Sequence, residues 1–97
     1  TADITADAYN YKTGKFTVYI SNIQTNREIQ SIRCAVWPDG DQSKLIWYET
    51  NPAGDGSYQC SVFASDFGYE RGIYDIHVYA MDTDGNAYLI NGINQSI

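Results

Sequence analysis

Apolar and polar residues alternate along most of the chain, and clusters of Gly, Asp, Asn and Pro cut the alternation into short runs. A period of two puts successive side chains on opposite faces, so each run reads as a β-strand with one face buried. Strands are predicted over 4–9, 15–20, 29–37, 45–50, 57–64, 73–81 and 86–90. Phe16, Val18 and Ile20 share one face of the second run, and Ile32, Cys34 and Val36 one face of the third. Tyr58, Cys60 and Val62 fall together in the fifth, and Tyr74, Ile76, Val78 and Ala80 in the sixth. The predicted core contains Phe16, Val18, Ile32, Val36, Leu45, Trp47, Tyr58, Val62, Tyr74, Ile76, Val78 and Leu89.

The breaks between runs carry turn chemistry. Pro38 has no N–H to give a ladder and ends the third strand. Asp39-Gly40, Asp55-Gly56 and Asp84-Gly85 pair a residue that hydrogen-bonds its own turn with one that accepts positive φ. The last two of these pairs are hairpin signals. No segment holds a helical period over three turns, and one short helical turn is expected within 65–71. About seven short strands at this spacing predict an all-β chain folded as an immunoglobulin-like antiparallel β-sandwich.

Composition supports this picture and narrows the partners. The 97 residues suffice for one domain, expected to be monomeric, and at 43% hydrophobic a core forms without a metal or cofactor. The net charge is −6, and the six cations (Lys12, Lys15, Arg27, Arg33, Lys44 and Arg71) are scattered. With no basic patch, nucleic acid and anionic membranes are not expected partners. No apolar run approaches the ~20 residues of a membrane span. The opening Thr1-Ala2-Asp3-Ile4 reads as the start of a module cut from a longer protein.

Candidate chemistry is sparse. His77, the one histidine, lies in mid-strand on the face opposite the core, with no nucleophile elbow near it, and reads as a surface histidine. Asp82-Thr83-Asp84-Gly85-Asn86 opens like a calcium loop, but its Gly stands at the fourth position, not the sixth, and Ile93 stands where the bidentate Glu belongs. A hairpin turn is expected there, and no metal. Carboxylates such as Glu49 and Asp75 form no pair with divergent environments, so a non-catalytic chain is expected. Cys34 and Cys60 fall on core-facing positions. They read as two buried thiols, the alternative being a cross-sheet disulfide.

The aromatics are more informative: nine Tyr, two Trp and three Phe. If Ile32, Cys34 and Val36 face inward, Arg33 and Trp37 face outward. The same alternation turns Tyr48, His77, Tyr79 and Tyr88 away from the core. In an immunoglobulin-like order these strands are neighbours, so the six side chains are expected on one flat face. Such a face either binds a ligand by ring stacking or stiffens the sheet by cross-strand pairing.

Four segments, in order, resemble the GBS Bsp-like repeat: Ile29-Gln30-Ser31-Ile32-Arg33-Cys34-Ala35-Val36-Trp37, then Leu45-Ile46-Trp47-Tyr48, then Gly56-Ser57-Tyr58, then Gly72-Ile73-Tyr74-Asp75-Ile76-His77-Val78-Tyr79-Ala80. Ser21-Asn22 and Asp82-Thr83-Asp84-Gly85-Asn86 fit as well, so the likeness runs over about 3–92. It implies a repeated module of Gram-positive surface and secreted proteins, extracellular or in the cell wall, often beside peptidoglycan hydrolase domains. It implies peptidoglycan or another wall glycan as partner, with linked domains of the parent protein, and no catalytic residues to carry over. The chain departs from the family in its two cysteines, at apolar core positions, and in a shortened loop over 39–44.

Overall fold

The computed structural model describes residues 2–25 and 28–97, so Arg27, one of the scattered cations, lies outside the described residues. The described residues form eight strands: β1 Asp3–Ala6, β2 Lys15–Ser21, β3 Ile29–Pro38, β4 Ile46–Glu49, β5 Asn51–Pro52, β6 Tyr58–Phe63, β7 Ile73–Asp82 and β8 Ala87–Ser96. They form two antiparallel four-stranded sheets, β1-β2-β6-β5 and β4-β3-β7-β8, the order expected of an immunoglobulin-like sandwich. The strand beyond the seven expected is the two-residue β5, a short edge beside β6. The first strand is shorter than the expected 4–9, and β8 is twice the length expected. A 3₁₀ turn at Ala64–Phe67 meets the helical turn expected near it.

The core lies between the sheets. Phe16, Val18, Ile20 and Val62 from the first sheet meet Ile32, Val36, Tyr74, Ile76 and Val78 from the second, all at 2% exposure or less. Each fully buried aliphatic contributes roughly 1.5–3 kcal/mol relative to exposure. Cys34 and Cys60 are free thiols that touch across the sheets, Sγ to Sγ 3.5 Å. Their mutual hydrogen bond and burial hold the Cys34 thiol far above its usual range.

Two core expectations are corrected, and two residues, Leu45 at the edge and Tyr58 packed against the core, are less buried than expected. Trp47 is 53% exposed and Leu89 52%, both on the outer face of the second sheet. The correction at Trp47 is one of register: Tyr48 pairs with Cys34, which faces inward, so Trp47 must face outward beside Ala35. A slip of one residue exchanges the two faces of a strand. In β8 an irregularity lies between the pairs Tyr79↔Leu89 and Val78↔Asn91, admitting Ile90 as an extra residue. It turns Tyr88 and Ile90 inward and Leu89 outward.

One contact at the entry to β7 locks the corner of the sandwich. The Tyr74 hydroxyl donates to the Glu70 carbonyl at 2.6 Å, while its ring packs edge-on to Phe16 and Phe67. A Tyr bonding back to backbone before this strand is a recurrent corner of immunoglobulin-like domains. The hairpin Asp82–Asn86 closes on itself: Asp82 Oδ1 accepts the N–H of Asp84 at 3.0 Å and of Asn86 at 2.9 Å. It is a turn, as expected.

Candidate functional site

The two outer faces of the sandwich differ sharply. On the first sheet the outward positions are Thr5, Lys15, Thr17, Tyr19, Gln59, Ser61 and Phe63, with Tyr19 opposite Gln59 and Phe63 opposite Lys15. Its rings are separated by polar residues. On the second sheet the outward positions carry Trp47 and Glu49 from β4, Arg33, Ala35 and Trp37 from β3, and Asp75, His77 and Tyr79 from β7. Leu89, Gly92 and Asn94 follow from β8.

Small residues make this face possible. One row across the sheet reads Trp47, Ala35, His77, Gly92. Over Ala35 the rings of β4 and β7 meet, Trp47 edge-on to Tyr79 with centroids 5.2 Å apart. The alanine methyl leaves the space for that contact, and Ala35 is 1% exposed despite facing outward. Beside it Trp37 meets His77 edge-on at 4.7 Å. Gly92 supplies the floor for His77, since a Cβ there would stand 2.8 Å from His77 Cδ2. Edge-to-face pairs of this kind add roughly 0.5–1.5 kcal/mol beyond their burial.

Polar groups rim the rings. Arg33 Nε lies 2.9 Å from Glu49 Oε1, an ion pair rather than an aligned hydrogen bond, and both side chains are substantially exposed. Such pairs contribute little to stability. In the amide orientation that satisfies both groups, the Asn94 nitrogen donates to Asp75 Oδ1 at 2.6 Å. Among the described residues the face therefore carries Arg33, already paired, and the carboxylates of Glu49 and Asp75.

Of the six residues expected here, the structure brings together Arg33, Trp37, His77 and Tyr79. Trp37 departs from the expectation in one respect: it is 5% exposed, packed under its neighbours, and presents little surface to a ligand. Tyr48 and Tyr88 do not belong to the face. Tyr48 turns inward, tilted against Phe67, and its hydroxyl donates to Asp66 Oδ2 at 2.6 Å. Burial and that bond push its phenol well above the usual range. Tyr88 packs against the core, with its hydroxyl 2.9 Å from Thr25 Oγ1. Trp47 and Leu89, assigned to the core from sequence, take their places. No sequence signal marks Trp47 as outward, because the apolar run Leu45-Ile46-Trp47-Tyr48 is compatible with either face.

Among the described residues there is no group of three or more His, Cys, Asp or Glu placed to hold a metal ion. Nor does any helix of the described residues have the length and apolarity to cross a membrane.

The fold is shared with solved structures. A polysaccharide deacetylase from Bacillus cereus superposes with a TM-score of 0.79 at 10% identity, over 98% of this chain and 29% of that one. A Bacillus anthracis protein described as a polysaccharide deacetylase superposes with 0.78 at 10% identity, with the same coverages of 98% and 29%. This chain thus spans under a third of either protein. No curated protein sequence matches it significantly. The GBS Bsp-like repeat model matches residues 5–95, nearly the whole chain, which therefore belongs to the GBS Bsp-like repeat family.

Proposed function

We propose that this repeat is a non-catalytic extracellular module that binds cell-wall glycan through the outer face of the β4-β3-β7-β8 sheet. In this reading it holds a linked peptidoglycan hydrolase domain at its substrate. The observation that carries the proposal is the half-exposed Trp47 joined to Tyr79, on the one sheet face where rings are contiguous. Aromatic rings offer flat apolar surface to the C–H faces of sugars, and the Glu49, Asp75 and Asn94 oxygens at the rim accept from sugar hydroxyls. The acidic chain, with the facial Arg33 already paired, suits a neutral glycan better than a phosphate-rich polymer. The likeness to part of two polysaccharide-deacetylase chains supports an accessory role beside polysaccharide-modifying domains. Among the described residues His77 meets the Trp37 indole edge-on and stands over Gly92, surroundings that suit a structural histidine.

A single module of this kind binds weakly, about −4 kcal/mol for a millimolar site, and gains retention when several act in tandem. The test is co-sedimentation of the domain with purified peptidoglycan sacculi packed to millimolar concentrations of glycan sites, where a millimolar binder is substantially retained. The parent domain is expected in the pellet and Trp47→Ala/Tyr79→Ala in the supernatant, with its circular dichroism unchanged. Equal retention of the two removes this face from binding.

A second reading is a spacer or stalk repeat. The near-complete burial of Trp37 favours it, because that ring stiffens the sheet rather than meeting a ligand. A parent domain that stays wholly in the supernatant supports the spacer. An adhesin repeat would instead use the same rings to anchor a protein partner.

A further inference from the structure

Cys34 and Cys60 lie on inner strands of opposite sheets, β3 and β6, with side chains buried in the middle of the sandwich. Antibody domains join their two sheets by a disulfide between the strands corresponding to β2 and β7. Here those strands present Phe16, Val18 and Ile20, and Tyr74, Ile76 and Val78, with no cysteine. The cysteines stand one strand over on each sheet: Cys60 pairs laterally with Val18, and Cys34 with Val78. Their sulfurs are 3.5 Å apart, inside ordinary contact and about 1.5 Å beyond a disulfide bond. We propose that Cys34 and Cys60 form an inter-sheet disulfide when the chain folds in an oxidising environment, taking the role of the immunoglobulin bridge from displaced strands.

The oxidant is an external disulfide, for which oxidised glutathione serves as probe. One cysteine thiolate attacks a glutathione sulfur and expels a glutathione thiolate. The second cysteine attacks the resulting mixed disulfide and expels the other. Two cysteine S–H bonds and one external S–S bond are replaced by one cysteine S–S bond and two glutathione S–H bonds. Two electrons pass from the protein to glutathione. The folded thiols are buried between the sheets and closed to a glutathione-sized oxidant, so the exchange belongs to folding, before the core closes.

The chain is unfolded under reduction, then refolded with or without a mixture of reduced and oxidised glutathione, and quenched with N-ethylmaleimide in denaturant. Oxidative refolding is expected to give a monomer lighter by two hydrogens with no maleimide adduct. A bridge between residues 26 apart should raise its melting temperature by roughly 10 °C or more over the same sample with reductant. Cys34→Ala and Cys60→Ala should show no reductant-dependent gain. Two alkylated thiols after oxidative refolding overturn the proposal. So does a bridged form that melts no higher than the reduced one, or a gain that survives in either single variant.

Discussion

The two tryptophans, Trp37 and Trp47, share one sheet face and should respond very differently to truncation. A fully buried Trp removes about 150–250 Å² from water, worth about 4–6 kcal/mol at roughly 25 cal/mol per Å². Trp37, 5% exposed and in edge contact with His77, is close to that limit, so Trp37→Ala should cost about 3–5 kcal/mol. Trp47 is 53% exposed, so it forfeits about half the burial, and water fills the space it leaves. Trp47→Ala should therefore cost about 1–2 kcal/mol. At roughly 4–8 °C per kcal/mol for a domain this size, the two variants separate clearly in melting temperature. Urea unfolding followed by circular dichroism measures both. Because the chain has only two tryptophans, fluorescence assigns each one. The emission of Trp47→Ala should be blue-shifted, from the buried Trp37, and that of Trp37→Ala red-shifted, from the wet Trp47. Equal stability losses, or reversed emission, would refute the register of β4 against β3 and with it the composition of the outer aromatic face.

Gly92→Ala should cost about 1–3 kcal/mol, because the new methyl would stand 2.8 Å from His77 Cδ2 and 3.2 Å from the Ile76 carbonyl. The same change should move the His77 ring protons in an NMR spectrum by lifting the ring off Trp37; unmoved protons mean that Gly92 is not its floor. Tyr74→Phe keeps the ring packing but strips the Glu70 carbonyl of its donor, and should lower stability by about 1 kcal/mol in denaturant titration. No loss would show that the corner bond is dispensable. Asp41 and Asp55 should titrate below the usual aspartate range in carboxyl NMR, each held ionised by the hydroxyl and then the backbone N–H of the Ser two residues on. The stability these bonds lend their turns is complete above that range and lost as pH falls through the depressed folded values. Ordinary midpoints would show that the turn bonds are not kept in solution.

What could be read from the residues alone was local. Phe16-Thr17-Val18-Tyr19-Ile20 and Tyr74-Asp75-Ile76-His77-Val78 put polar or amphipathic residues between apolar ones, so each strand declares its own inner face. Asp55-Gly56 and Asp84-Gly85 place their turns by the φ they require, and the strand series with these turns is enough for a sandwich. Arg33, His77 and Tyr79 came out on the outer face of the second sheet for that reason. Leu45-Ile46-Trp47-Tyr48 and Tyr88-Leu89-Ile90 carry no such phase, since every residue in them is apolar or aromatic. Their faces were settled by pairing with another strand: Tyr48 opposite Cys34, and Leu89 opposite Tyr79 ahead of the irregularity in β8. That exchange put Trp47 and Leu89 outside and Tyr48 and Tyr88 inside. Trp37 does face outward by alternation, but its burial depends on His77, a neighbour 40 positions away in the chain. The contact of Cys34 with Cys60 likewise exists only once two sheets are stacked, because side-chain alternation fixes a direction within one strand and says nothing about what stands opposite it.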